Sequence, residues 1–259
     1  MQASMQHQLL EALLPIARAA GERILEIYHS DFEVRGKADA SPVTAADEQA
    51  EAIILKGLAE LPVSFPVVAE EACAAGVIPE TGECFWLVDP LDGTREFVNR
   101  NGEFTVNIAL IKHGQPILGV VLAPAIATLY AGSLAEGAFV ETNHGRRAIR
   151  VRMPAPEGLD ILASRSHGDV EALEQLLAGR KVRNIVNAGS SLKLCLIAAG
   201  EADVYPRQGR TMEWDIAAGH AVLAAAGGQV QTFDGKPLQY GKPEFENPHF
   251  VASGDQAFF

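Results

Sequence analysis

The stretch "FWLVDPLDGTREF", Phe85–Phe97, passes from an apolar run directly into two aspartates three positions apart, with Pro90 between them and Gly93-Thr94 behind. Phe85–Val88 reads as a buried strand whose end delivers Asp89. Asp-Pro and Asp-Gly both favour turns, so the spacing alone also fits plain turn formers. A second short β-branched run, Val67-Val68, ends in the same way at Glu70-Glu71. Four acids gathered without bases beside them repel one another unless cations lie between them. The pattern predicts a divalent-metal site.

With no His or Cys in the cluster, oxygen ligands select hard cations, magnesium first and manganese or calcium after it, and disfavour zinc. A pair of such ions would share one carboxylate at a separation of about 3.5–4 Å and suit in-line displacement at phosphorus by an activated water. Pro90 stiffens the turn, Leu91 can offer its backbone carbonyl, and the amides of Gly93 and Thr94 could face a phosphate. A further acid is needed, and Asp215 in "EWDIAAGHAVLAAAGG", Glu213–Gly228, is the candidate. It reads equally as a first-turn acid on a helix that Gly227 stops. Asp47 stands at capping-box spacing from Thr44, a purely local role.

Working outward, the N-terminal segment repeats apolar residues at helical spacing from Leu10 to Tyr28, with Pro15 placed to kink it. A second helix is expected over about 46–61. From Phe104 the chain reads as an antiparallel meander, with hairpin signals at His113-Gly114 and Ala135-Glu136-Gly137. Past Val151 strands and helices alternate: "LDILASRSH", "DVEALEQLLAG", "VRNIVNAG", "SSLKLCLIAAG", "ADVYPR" and the Asp215 helix. The expected organisation is an α+β half over residues 1–150 that carries the metal site. An α/β half over 151–259 adds a metal ligand, and the two pack as one unit.

Composition limits the function classes. The 259 residues carry a net charge of −12, which argues against non-specific binding to a nucleic-acid polymer. Three widely spaced cysteines suggest neither a disulfide framework nor a zinc site and fit a reducing cytoplasm. The N-terminus has no signal-peptide pattern and no run long enough to span a membrane.

Taken together and in order, "VVAEE", "WLVDPLDGT" and "EWDIAAGHAVLAAAGG" resemble the signature blocks of the inositol monophosphatase superfamily, the lithium-sensitive, magnesium-dependent phosphomonoesterases. Within it, "SPVTAAD", "RNGEFTVNIALI", "ILGVV", "SRSH", "GSSLK" and "GKPLQY" are most similar to bacterial 3'(2'),5'-bisphosphate nucleotidases, over about residues 36–250. The resemblance implies a layered αβαβα sandwich. It also implies two or three Mg2+ ions, with Mn2+ as a substitute and Li+ and Ca2+ as inhibitors.

By the same resemblance, Glu70, Asp89, Asp92, Asp215 and the Leu91 carbonyl ligate the ions, with Asp89 bridging. Thr94 and Asp47 orient and deprotonate the attacking water, and Glu71 orients water or ligands from behind. Gly93 and Thr94 lie against the substrate phosphate, and Ser164, His167, Gly189 and Lys193 contact the nucleotide, with Arg207 and Arg210 as further phosphate aids. One departure stands out: "EEACAAG" has Ala72 and Cys73 where close relatives continue with an acid and proline, which leaves the ligands intact and alters the loop behind them.

The implied activity removes the 3'-phosphate of adenosine 3',5'-bisphosphate, with phosphoadenylyl sulfate as a second substrate, in sulfur metabolism. It places the enzyme in the cytoplasm, with peripheral contact to the inner membrane as an option. Oligomeric state is left open. The rivals are the same chemistry on inositol monophosphate or fructose bisphosphate, an aspartyl-phosphate mechanism, and a sensor without turnover. The Asp-x-x-Asp spacing weighs against the second, since such enzymes use Asp-x-Asp.

Overall fold

Along the strand of the opening motif, Trp86 and Val88 enter one apolar core while Phe85 and Leu87 enter another. The next strand divides likewise, with Val106, Ile108 and Leu110 on one side and Ala109 and Ile111 on the other. Period-two alternation with apolar residues on both faces is what a sheet covered by helices on both sides requires. The computed structural model, which describes residues 1–36, 42–163, 177 and 179–254, has that architecture.

The first half contains α1 (Ala3–Tyr28), β1 (Arg35–Gly36), β2 (Pro42–Val43), α2 (Ala45–Ala59), β3 (Val67–Ala69), α3 (Glu70–Ala74), β4 (Cys84–Asp92) and α4 (Thr94–Val98). The meander follows as β5 (Thr105–Lys112), β6 (Gln115–Ala123), β7 (Thr128–Ser133), β8 (Gly137–Thr142) and β9 (Gly145–Ile149). Strands β3 to β9 form one sheet in sequence order, antiparallel throughout except for the parallel β3–β4 pair. His113 and Gly114, both at positive φ, make the β5–β6 turn that their sequence signalled. Helix α1 runs on through Pro15.

The second half contains β10 (Leu159–Ala163), β11 (Val182–Asn187), α5 (Leu192–Ala198), β12 (Val204–Arg207), α6 (Glu213–Ala225), β13 (Gln229–Thr232) and β14 (Phe250–Ser253). Its sheet has the order β11-β10-β12-β14-β13, parallel among β10, β11 and β12 and antiparallel where β14 inserts. The layers are therefore α1 with α2, the seven-stranded sheet, α5 with α6, and the five-stranded sheet. Leu177 packs on that sheet's far side with Leu159, Ile161, Val204 and Val251. The expected helix "DVEALEQLLAG" falls largely outside the described residues.

Helix α6 lies close against the large sheet because both surfaces are stripped of bulk. A Cβ on Gly119 would stand 2.6 Å from the Ala218 carbonyl oxygen, and one on Gly132 would stand 2.9 Å from the Ala225 methyl. This contact holds the helix that begins next to Asp215.

Candidate active site

Residues three apart on a regular strand face opposite ways. Asp89 and Asp92 do not, because Asp89 pairs with Asn107 and Asp92 with Thr105. Three steps on β4 against two on β5 make a one-residue bulge, which turns both carboxylates into the same cleft. Pro90 fits inside the bulge, where a missing N–H costs no ladder bond. Leu91 N donates to Asp89 Oδ1 at 3.0 Å, which fixes that carboxylate over the turn. Gly93 follows at φ 88°, a left-handed conformation that opens α4 and favours glycine.

The cleft is lined by Glu70, Asp89, Leu91, Asp92, Gly93, Thr94 and Asp215, together with Arg95 and Glu96. Three supports converge there. Glu70 comes from the first turn of α3, one step past the strand end where the sequence placed it. Asp215 comes from the first turn of α6, where its Oδ2 accepts from Met212 N at 2.9 Å. Asp92 Oδ2 accepts from Ser191 N at 2.5 Å, and the Ser191 hydroxyl is held between Thr105 and Asn107 at 2.9 and 2.7 Å.

These acids are electrostatically uncomfortable. Burial, then the charges of Glu70, Asp92 and Asp215, push the Asp89 carboxyl well above its ordinary range. Burial, then Asp92 and Glu70, do the same to Asp215. Asp92 is pushed up to about 6 by burial, against the opposing pull of Lys193 and the Ser191 N–H. The carboxylates share a cleft rather than a point, since among the described residues no three acidic, His or Cys side chains stand close enough to close on one ion. The donors are nonetheless all hard oxygens, and a divalent cation is what would relieve their repulsion, so the residues fit magnesium.

Beside the acids stands the expected pair. Thr94 Oγ1 donates to Asp47 Oδ1 at 3.2 Å, with the Leu91 carbonyl at 3.3 Å as a second acceptor. Asp47 is also the partner in a capping box: its Oδ2 accepts from Thr44 N at 2.8 Å and from Thr44 Oγ1 at 2.9 Å. Its local role and its contact with Thr94 therefore use different oxygens. Both Asp47 and Thr44 are buried.

A second cavity shares Asp92, Gly93, Arg95, Glu96 and Asp215 with the first. Gly189, Ser190, Ser191, Lys193 and Arg207 form its other walls. Lys193 Nζ donates to the carbonyls of Ala188 at 3.1 Å and Ser190 at 2.7 Å, so the ammonium braces the loop from within. Burial lowers its pKa to about 8. Gly189 N donates to Glu103 Oε2 at 2.7 Å. Arg210 is drawn off to Glu246 at 3.0 Å. Ser164 and His167 lie outside the described residues. Glu51 and Glu103, which the sequence did not single out, act across 20 and 86 positions, separations that carry no local signal.

The sequence profile of the inositol monophosphatase family matches residues 5–254. The chain is 48% identical over 249 residues to the 3'(2'),5'-bisphosphate nucleotidase CysQ of Escherichia coli K12, covering 95% of this chain and 99% of the relative. The solved structure of CysQ from Bacteroides thetaiotaomicron, described as a bacterial member of the inositol monophosphatase family, superposes with a TM-score of 0.81 at 38% identity, over 96% of this chain and 98% of that one. An inositol monophosphatase from Anabaena superposes at 0.77 with 26% identity, over 97% and 92%.

Proposed function

The chain belongs to the inositol monophosphatase family, and from that premise we propose that it is a metal-dependent 3'(2'),5'-bisphosphate nucleotidase. It hydrolyses the 3'-phosphate of adenosine 3',5'-bisphosphate to AMP and phosphate, with phosphoadenylyl sulfate as a second substrate. The carrying observation is one cleft in which Glu70, Asp89, Asp92 and Asp215 stand beside the hydrogen-bonded pair of Thr94 and Asp47.

Glu70, Asp89, Asp92, Asp215 and the Leu91 carbonyl would hold Mg2+. When bound, the metal polarises the phosphoryl oxygens, offsets the charge of the leaving oxygen and acidifies a water. The chain's own part is positional and protonic. The Thr94 oxygen would take the proton of the attacking water as its own proton passes along the existing hydrogen bond to Asp47 Oδ1, so the carboxylate ends with the proton. Asp47, held through its other oxygen by Thr44, keeps that hydroxyl in one orientation. The adjoining cavity supports nucleotide binding, because its wall and that of the acid cleft share Asp92 and Asp215.

Several finer readings accompany this one: more than one ion with Asp89 shared between them, inhibition by Li+ and Ca2+, and a cytoplasmic setting. Among the described residues no helix is long and apolar enough to cross a membrane. The deciding assay is phosphate release from adenosine 3',5'-bisphosphate, inositol 1-phosphate and fructose 1,6-bisphosphate, each with Mg2+ and with chelator. Magnesium-dependent release, fastest from the nucleotide, is expected. Preference for inositol phosphate, or release that ignores chelation, would overturn the assignment.

A further inference from the structure

Helix α3, which presents Glu70, starts without a local cap. Its N-cap position is Ala69, whose side chain has no acceptor. The first N–H groups of any helix need partners, and two of these find theirs far away in sequence. Glu51 Oε2 accepts from Glu71 N at 2.7 Å, and Glu51 Oε1 accepts from Ala72 N at 2.9 Å. Glu51 is 6% exposed and sits on α2, one turn after Asp47, so the two carboxylates share a face of the helix.

A serine or aspartate at position 69 would close the first turn of α3 locally, without these hydrogen bonds to α2. The remote carboxylate ties it to α2 instead, the helix that holds Thr94 through Asp47. A neutral acceptor would also have spared the protein a further negative charge near Glu70. The two-oxygen fork, engaging successive N–H groups with charge-assisted bonds, fixes the orientation of the turn as well as its position.

We propose that Glu51 is a positioning residue that sets the distance between Glu70 on one wall of the cleft and the Asp47–Thr94 pair on the other. Through that distance it sets the cleft's affinity for a divalent cation. The inference rests on the reading above in taking Glu70 as a metal ligand.

The test compares wild type, Glu51→Gln, and Glu51→Gln combined with Ala69→Ser, which supplies a local cap. Two readouts need no substrate: Mn2+ binding followed by the electron paramagnetic resonance of the free ion, and melting temperature with and without Mn2+. A third is the Mg2+ dependence of phosphate release. Glu51→Gln is expected to weaken Mn2+ binding and raise the half-saturating Mg2+ concentration by about tenfold, the low end for an outer partner of a ligand, with kcat at saturating Mg2+ changed much less. In the double variant the metal-free melting temperature should recover while the Mn2+ affinity does not.

Wild-type Mn2+ affinity in Glu51→Gln overturns the positioning role alone. So does recovery of affinity together with melting temperature, which would make Glu51 a cap and nothing more, and so does failure of both variants to fold. Absence of Mn2+ binding in the wild type overturns the functional reading and the positioning role with it.

Discussion

Two clusters of acids in this molecule have opposite fates. In the cleft, Asp89, Asp92 and Asp215 stand together, and burial and mutual repulsion drive their carboxyls up against the weaker pulls of Lys193 and the Ser191 N–H on Asp92 and of the Met212 N–H and Arg207 on Asp215. Near the start of β10, Asp160 and Asp203 are neighbours, with Asp160 N donating to Asp203 Oδ2 at 2.7 Å, yet Arg152 bonds to both and Arg183 and Asn184 bond to Asp160. There the arginines hold the Asp160 carboxyl well below its ordinary range, with Arg183 the leading cause. Where the chain supplies its own counter-charge the acids serve the fold. Where it withholds one, the acids are left for something that binds.

The largest expected effect breaks the first cluster. Asp92→Asn should lower phosphate release by roughly a thousandfold, the scale of losing a principal charge-stabilising contact. The metal-free melting temperature should hold or rise, since one repelling charge has gone. Loss of fold together with activity would remove the contrast between the clusters. Next in size is the metal itself: at Mg2+ a hundredfold above its Kd the protein should gain about 2.7 kcal/mol over its chelated form, read from denaturant midpoints. Asp92→Asn should lose most of that gain.

Asp160→Ala should do the reverse, sparing kcat while destabilising the protein by about 1–3 kcal/mol, because Arg183 loses its carboxylate partner while Arg152 keeps Asp203. This is less than for a fully buried pair, because the Arg152 and Arg183 side chains are 30% and 37% exposed. Urea titration checks it, and a loss of activity at saturating Mg2+ without loss of stability would contradict it.

The smallest effect is the most diagnostic. In metal-free protein the raised Asp92 carboxyl favours folding when protonated. Its contribution is full below about pH 4, the unfolded value, and is lost as pH rises through about 6. The depressed Asp160 carboxyl contributes above about pH 4 and loses that contribution as pH falls further. His220, buried against the Tyr240 hydroxyl and lowered to about 3, adds a rise in stability from about pH 3 to 6.5. Differences between each variant and wild type cancel that shared slope. The Asp92→Asn and Asp160→Ala difference curves should therefore tilt in opposite senses, and parallel curves would show that the two clusters are alike.

Much of this could be read from the chain. The apolar run before Asp89 and the His113-Gly114 turn are local chemistry, and local chemistry sets strands and hairpins. Pro90 signalled a stiff turn, but the bulge that brings Asp89 and Asp92 to one side depends on pairing with β5, which no single segment encodes. Strand β14 went unread because "FVAS" inserts between β12 and β13, partners distant in sequence. Glu70 was placed at a strand end and lies in the first turn of a helix whose start is bonded by Glu51, a partner 20 positions from Glu71 that local sequence does not signal. Of the expected nucleotide contacts, Gly189 and Lys193 line the second cavity, where Lys193 also bonds the carbonyls of its own loop, a contact that only the folded loop discloses.

The seating of α6 on Gly119 and Gly132 can be restated as a mechanical tolerance. A helix packed through long side chains can roll or slip as those side chains repack. One packed through methyl groups and bare α-carbons meets backbone as soon as it moves. Sliding by a single residue would displace Asp215 by about 1.5 Å, whereas magnesium holds its oxygens within a narrow band near 2.0–2.1 Å. On the proposed assignment of Asp215 to the metal, the geometry that Mg2+ would demand at one end of the helix is underwritten along its length, in a layer of alanine and glycine.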